Sequence, residues 1–259
     1  TLAPDRSQIG QTIGLSITAS DSDGATASLS QSMTVPDQVA AVQAGLPGFF
    51  GGSASVADVD GDGDQDLLAA GRTGTLQNST KSATLYLQDG DGTFVPAEAG
   101  LAGVEDAATA IGDVNKDGRH DLLVTGTGDS PSATLYLQND DGTFAPAGAD
   151  LTGVEFGSAS IADVNGDDAP DLLITGQDEN FECTSTLYYG NEDGSFTPAD
   201  ADLTAVCESS VSIADVDGNG TMDLLISGQA EVSSGSALST TLYLQNDDGT
   251  FAPSNAGLT

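Results

Sequence analysis

Asp58 to Asp66 reads DVDGDGDQD, and the chain repeats it as DVNKDGRHD (Asp113 to Asp121), DVNGDDAPD (Asp163 to Asp171) and DVDGNGTMD (Asp215 to Asp223). Side-chain oxygens fall at the first, third, fifth and ninth places of every copy. Five acidic residues crowd into the first copy alone, where mutual repulsion calls for a cation. A hard, oxygen-seeking metal fits short carboxylates and amides at alternate places on a tight bend, and calcium suits them better than magnesium, which prefers a small octahedron and retains waters. The sixth place must accommodate the turn, and Gly63, Gly118 and Gly220 stand there. The third loop has Asp168 instead, so it is expected to be the weakest site or the one altered in geometry.

The first Asp of each loop, at 58, 113, 163 and 215, sets a period of 50 to 55 residues. Each unit opens on a leucine (Leu46, Leu101, Leu151, Leu203), followed by a strand of small residues ending in Val56, Ile111, Ile161 or Ile213. After the loop comes DLLAAG, DLLVTG, DLLITG or DLLISG, an apolar run of strand length. A variable Ser- and Thr-rich segment, longest in the third and fourth copies, reads as a surface loop. The third strand is ATLYLQ or a variant (83–88, 133–138, 185–190, 240–245), alternating so that its tyrosines face away from its leucines. An Asp-Gly turn then leads to Phe94, Phe144, Phe196 and Phe251. Pro96, Pro146, Pro198 and Pro253, two residues on, cannot donate to a ladder and mark an outer edge strand. The expected fold is all-β, with four four-stranded antiparallel β-propeller blades at about 46–100, 101–150, 151–202 and 203–257 within a 39–259 domain.

Residues 1–38 lack this pattern. QTIGLSITAS and ATASLSQSMTV flank the turn signal DSDG, which predicts a β-hairpin, and Pro36 and Asp37 suggest a linker. The hairpin looks like a remnant of an immunoglobulin- or cadherin-like domain.

The 259 residues carry 33 Gly, 9 Pro and no Trp, a profile of short strands and turns. Forty acidic against five basic residues give a net charge of -35, which argues against nucleic acid and anionic lipid as partners. Four divalent ions would offset less than a quarter of it, so the rest is solvated surface, as suits a saline or halophilic exterior. No run reaches the length of a membrane-spanning helix. Cys183 and Cys207 form one disulfide or two buried thiols.

The acidic loop followed by DLL, together with LYLQ and DDGTF, resembles the FG-GAP or VCBS repeat of integrin-type β-propellers over about residues 46–257. In that family the loop joins the first two strands of a blade and holds calcium through its first, third, fifth and ninth residues and the carbonyl of its seventh. The resemblance thus implies up to four calcium sites: Asp58, Asp60, Asp62 and Asp66 with the Asp64 carbonyl; Asp113, Asn115, Asp117 and Asp121 with that of Arg119; Asp163, Asn165, Asp167 and Asp171 with that of Ala169; and Asp215, Asp217, Asn219 and Asp223 with that of Thr221. Integrin-type rings have seven blades, so four units suggest an open or partial propeller, with a closed four-bladed ring as the alternative.

No catalytic constellation emerges. His120 is expected to be an exposed loop residue, Glu105 and Glu155 a solvated face, and Tyr86, Tyr136, Tyr188 and Tyr243 an interblade packing ladder in preference to a sugar-stacking one. The expected function is that of a non-enzymatic, extracellular or cell-surface, calcium-stabilised protein for adhesion or ligand binding. Its partner would be a protein, a glycan or like subunits, and 177–184 and 229–239 are the candidate contact loops. A structural subunit of a surface filament or layer, and an accessory module of a secreted polysaccharide-active enzyme, are the alternatives.

Overall fold

A computed structural model describes residues 12–20, 26–34, 46–75, 77–191, 194–232, 235–246 and 248–254. The chain divides into two compact units, Thr1–Ala44 and Gly45–Thr259. The first contains β1 (Thr12–Ser20) and β2 (Thr26–Thr34), antiparallel in unbroken register from Thr12 opposite Thr34 to Ser20 opposite Thr26. The DSDG turn and the linker at Pro36 and Asp37 lie outside the described residues.

The second unit is built of four four-stranded antiparallel blades. Blade 1 comprises β3 (Phe49–Ala57), β4 (Asp66–Thr75), β5 (Asn78–Gln88) and β6 (Phe94–Pro96); blade 2 comprises β7 (Glu105–Gly112), β8 (Asp121–Thr127), β9 (Pro131–Gln138) and β10 (Phe144–Pro146). Blade 3 comprises β11 (Glu155–Ala162), β12 (Asp171–Gln177), β13 (Cys183–Gly190) and β14 (Phe196–Pro198); blade 4 comprises β15 (Val206–Ala214), β16 (Asp223–Val232), β17 (Gly235–Gln245) and β18 (Phe251–Ser254). No helix occurs among the described residues, and the blades form an open, partial propeller. The outer strands start at the four predicted phenylalanines, and their prolines lie opposite Tyr86, Tyr136, Tyr188 and Tyr243. The lost donor costs nothing on an edge.

Each first strand carries a bulge at the same place, where Gly51, Asp106, Phe156 and Glu208 take φ between 47° and 54°. An extra residue there bends the strand and increases its twist. In blade 1 the residue is glycine, and a Cβ there would stand 2.6 Å from Asp106 Oδ1 of blade 2, whose side chain would have to turn aside.

The core lies between blades, not within them. At the first junction Val59, Leu68 and Leu85 of blade 1 pack against Leu122, Val124 and Tyr136 of blade 2. Val114, Leu123 and Leu135 meet Leu172, Ile174 and Tyr188 at the second, and Val164, Leu173 and Leu187 meet Leu224, Ile226 and Tyr243 at the third. The DLL strand of an internal blade is therefore buried on both faces, with Leu122, Leu123, Leu172 and Leu173 wholly inaccessible. Each tyrosine also reaches the segment entering its own blade. Tyr136 Oη accepts the Ala102 N–H at 3.0 Å, Tyr188 Oη that of Thr152 at 2.9 Å, and Tyr243 Oη that of Thr204 at 2.7 Å. These three thus form the expected packing ladder, with the polar tip of each satisfied.

One backbone bridge crosses each junction, at Ser82–Val104, Ser132–Val154 and Thr184–Val206. Beside it the side chains differ. Arg72 and Lys81 both pair with Glu105 at the first junction, Thr127 Oγ1 donates to Glu155 at the second, and Cys183 and Cys207 form a disulfide at the third. Glu105 and Glu155 are therefore interblade clasps and not the solvated face expected of them. Residues 229–232 and 235–239 likewise lie in strands and not in the loop expected there. β16 and β17 stay paired out to Val232 opposite Gly235, whereas the corresponding hairpin of blade 3 opens after Gln177.

Candidate metal centres

Every acidic loop links the first and second strands of its blade, and its backbone shapes it in the same way each time. The first-place Asp accepts the sixth-place N–H: Gly63 to Asp58 (3.0 Å), Gly118 to Asp113 (2.8 Å), Asp168 to Asp163 (2.9 Å) and Gly220 to Asp215 (2.9 Å). The third-place oxygen accepts the fifth N–H, and the fifth-place oxygen accepts the seventh. This chain of Asx turns winds the loop, and in two copies the first, third and ninth side chains converge. In the first loop carboxylate oxygens of Asp58, Asp60 and Asp66 lie within 4.8 Å of one another, and in the fourth so do those of Asp215, Asp217 and Asp223. Ligand oxygens around one calcium, each about 2.3–2.6 Å from it, lie no more than about 5 Å apart, so these sets match the ion. The second and third loops present Asn115 and Asn165 at the third place, where an amide oxygen can serve as donor with one charge fewer.

The ninth residue does more than its spacing suggests. Asp66 is fully buried; one oxygen accepts the Val59 N–H at 2.7 Å and the other the Gln88 N–H at 2.9 Å. Asp121 does the same with Val114 and Gln138, Asp171 with Val164 and Gly190, and Asp223 with Val216 and Gln245. This carboxylate fastens the loop to the end of the third strand, with lone pairs left for a cation. Burial pushes the Asp121 and Asp171 carboxyls above their usual range, partly countered by these N–H donors. Asp60 is raised as well, chiefly by burial, with Asp66, Asp62 and Asp58 adding repulsion. A cation in the cluster would relieve that repulsion.

Asp168 does not alter the third loop. It takes φ 68° and donates the same hydrogen bond as the glycines at φ 86–96° in the other copies. The fourth place is also left-handed, at Gly61, Lys116, Gly166 and Gly218, and three glycines in four copies were the sequence signal for it. The second loop is the unusual one. Arg119 Nη2 lies 2.6 Å from Asp117 Oδ2 and its Nη1 2.9 Å from Asp140 Oδ1, while Nε donates to the Gln138 carbonyl. A guanidinium thus already serves a fifth-place carboxylate.

Arg119 and the half-buried His120 line a cavity of about 480 Å³ between the first and second loops, with Asp58, Asp60, Gln138 and Asp140. His120, expected to be exposed, is thus half-buried in the wall of this cavity.

Away from the loops, the turn between β12 and β13 is tightly organised. Asp178 Oδ1 accepts the N–H groups of Asn180 and Glu182, and Phe181 N and Gln177 Nε2 brace its other side. The turn starts one strand end from the Cys183–Cys207 disulfide and holds Phe181 at φ 65° with 73% of its surface exposed.

The sequence model described as an FG-GAP-like repeat matches three overlapping stretches, residues 58–124, 113–174 and 163–226, each running from one acidic loop through the next. No curated protein matches the chain significantly.

Proposed function

The chain belongs to the FG-GAP-like repeat family, and from that premise we propose that it is a non-catalytic, extracellular, calcium-stabilised module for adhesion or ligand binding. Each loop takes one Ca²⁺ through the four side chains and the one carbonyl named for it above, and the ion stiffens the blade rather than reacting. Support comes from the converging oxygens of the first and fourth loops and from the raised Asp60. An extracellular setting is supported by the disulfide, which persists in oxidising compartments, and by the acidic surface.

The observation that carries the recognition reading is Phe181, a large apolar side chain held out to solvent in a left-handed conformation by a turn braced on every side. Backbone strain of this kind persists where surrounding structure over-determines it, and it clusters at binding sites. An aromatic anchor suits a protein surface or the face of a sugar ring. The test is adhesion to protein and glycan arrays in calcium. Phe181→Ala is expected to weaken binding by about tenfold or more, a loss of about 1.4 kcal/mol, with an unchanged melting temperature. Unchanged binding would remove the turn from the interface. Isothermal titration in the same buffer, with saturable calcium uptake abolished by chelator, tests the metal reading separately.

A further inference from the structure

The first and last blades carry, in register, the two halves of the junction that is built three times inside the chain. Val59, Val114 and Val164 are 4%, 4% and 1% exposed beneath the next blade, yet Val216 at the same place in blade 4 is 54% exposed. Leu68, Leu123 and Leu173 are inaccessible, yet Leu225 is 37% exposed. At the other end Val56 of blade 1, which corresponds to Ile111, Ile161 and Ile213 of the junction cores, is 60% exposed. Leu67 is half-buried where Leu122, Leu172 and Leu224 are fully covered.

The clasp position sharpens the match. Lys81 meets Glu105 at the first junction and Cys183 meets Cys207 at the third, so this position makes a matched contact across two of the three internal junctions. By the same register the open face of blade 4 presents Leu238, 93% exposed, and that of blade 1 presents Phe50, 39% exposed. Leucine and phenylalanine complement each other, and neither complements water. In a chain with 40 acidic residues, β3 holds no charged residue at all, although the corresponding strands β7, β11 and β15 each carry at least one acid. Beside β3 a cavity of about 240 Å³ lined by Leu46, Phe49, Leu67 and Ala69 offers an apolar seat.

We propose that the open face of blade 4 in one copy of the chain receives the open face of blade 1 in a second copy, head to tail, with Leu238 packed against Phe50 at the clasp. The occupant must present a blade face in this register, and the chain itself carries that face and repeats the contact three times internally. The two patches differ, so the contact is heterologous and closes into a ring or runs on as a filament according to its rotation.

The test uses the full chain with calcium in about 1 M salt, where a Debye length of about 3 Å screens its charge, followed by sedimentation velocity over a wide concentration range. The wild type is expected to form dimers or larger species. Phe50→Asp and Leu238→Asp should each weaken self-association at least about tenfold while melting as the wild type does. An equimolar mixture of the two variants keeps one intact Phe50–Leu238 junction and should form 1:1 pairs. A wild type that stays monomeric would leave the faces to further blades of its own chain or to solvent and overturn the proposal. So would variants that associate as the wild type does, or a mixture that fails to pair.

Discussion

Lys81 Nζ lies 2.9 Å from Glu105 Oε1 at the place in the first junction that the Cys183–Cys207 disulfide takes in the third. One position next to the single backbone bridge is thus closed by charge in one copy and by a covalent bond in another. The covalent clasp closes a loop of 24 residues in sequence, worth roughly 3 kcal/mol in the chain-entropy account. The ionic clasp joins a carboxylate that is 12% exposed to two cations that are more than a third exposed, so solvent screening leaves it the weaker of the two. Cys183→Ser with Cys207→Ser should therefore lower the unfolding free energy more than Glu105→Gln, read from urea denaturation in calcium.

The same carboxylate has a pH signature. Hydrogen bonds from Arg72 and Lys81 hold Glu105 below its ordinary 4.5. A depressed folded value stabilises the fold above the unfolded value and ceases to as the pH falls through the folded one. Wild type and Glu105→Gln should accordingly differ in melting temperature above about pH 5, with the difference shrinking at lower pH. A gap that persists to pH 3 would assign Glu105 a packing role only.

Much of this architecture was legible because the blades restate it. Four loops in register, four leucine-rich strands and four edge prolines gave the strand order, and the phenylalanines opened the outer strands where expected. The clasp was not legible, because Glu105, Glu155 and Cys207 share a position but are met by Arg72 with Lys81, by Thr127 and by Cys183, which share no chemistry. Glu105 and Glu155 thus read as solvated acids. Asp66 and its equivalents were recognised as oxygen donors, but their partners Gln88, Gln138, Gly190 and Gln245 lie on a strand 17 to 22 residues away, a distance that only the folded hairpin closes. The altered geometry expected at Asp168 is absent because side-chain preference at positive φ is weak beside a loop held by its other hydrogen bonds. The ligand sets themselves rest on spacing and resemblance, joined now by the converging oxygens of two loops.

Tyrosine hydroxyls separate the first blade from the others. Tyr188 Oη accepts the Thr152 N–H and donates to Thr152 Oγ1, and Tyr243 does the same with Thr204. Tyr188→Phe removes the acceptor of the part-buried Thr152 N–H, which costs about 1 kcal/mol. In blade 1 the corresponding place is Pro47, which has no N–H to lose. Tyr86→Phe should therefore be close to neutral, and equal losses in the two variants, measured by thermal unfolding, would contradict this account.

Calcium should invert the response to acid. Burial raises the Asp121 and Asp171 carboxyls above 3.8. A raised folded value makes ionisation a cost to folding, complete above the folded value and fading as the pH falls toward 3.8. In chelator the melting temperature should thus rise as the pH is lowered through the folded values toward 3.8, helped by relief of the wider acidic repulsion. In saturating calcium it should fall, because protons compete with the ion for the carboxylates. The two melting series, run in parallel with and without chelator, check the crossing, and parallel slopes would argue against a metal at these residues.

The second loop, not the third, should bind calcium most weakly. Its third place is Asn115 rather than an acid, and Asp117 at the fifth is already met by the Arg119 guanidinium at 2.6 Å. A calcium ion there must share Asp117 with a fixed positive charge, whereas the third loop has the same Asp, Asn, Asp, Asp ligand set and only Ala169 at the seventh place. Arg119→Ala keeps the seventh-place carbonyl and removes the competing charge. It also frees Asp140, which lies 2.9 Å from the same guanidinium and is almost fully exposed, so that loss adds no buried charge. Arg119→Ala should raise calcium affinity at this one site by about three- to tenfold, equivalent to about 0.7–1.4 kcal/mol, and leave the other three unchanged. Isothermal titration separates the sites, and an Asp168→Gly variant serves as the control. If Asp168→Gly tightens binding and Arg119→Ala does not, the weak site is the third loop and the guanidinium is only a surface partner.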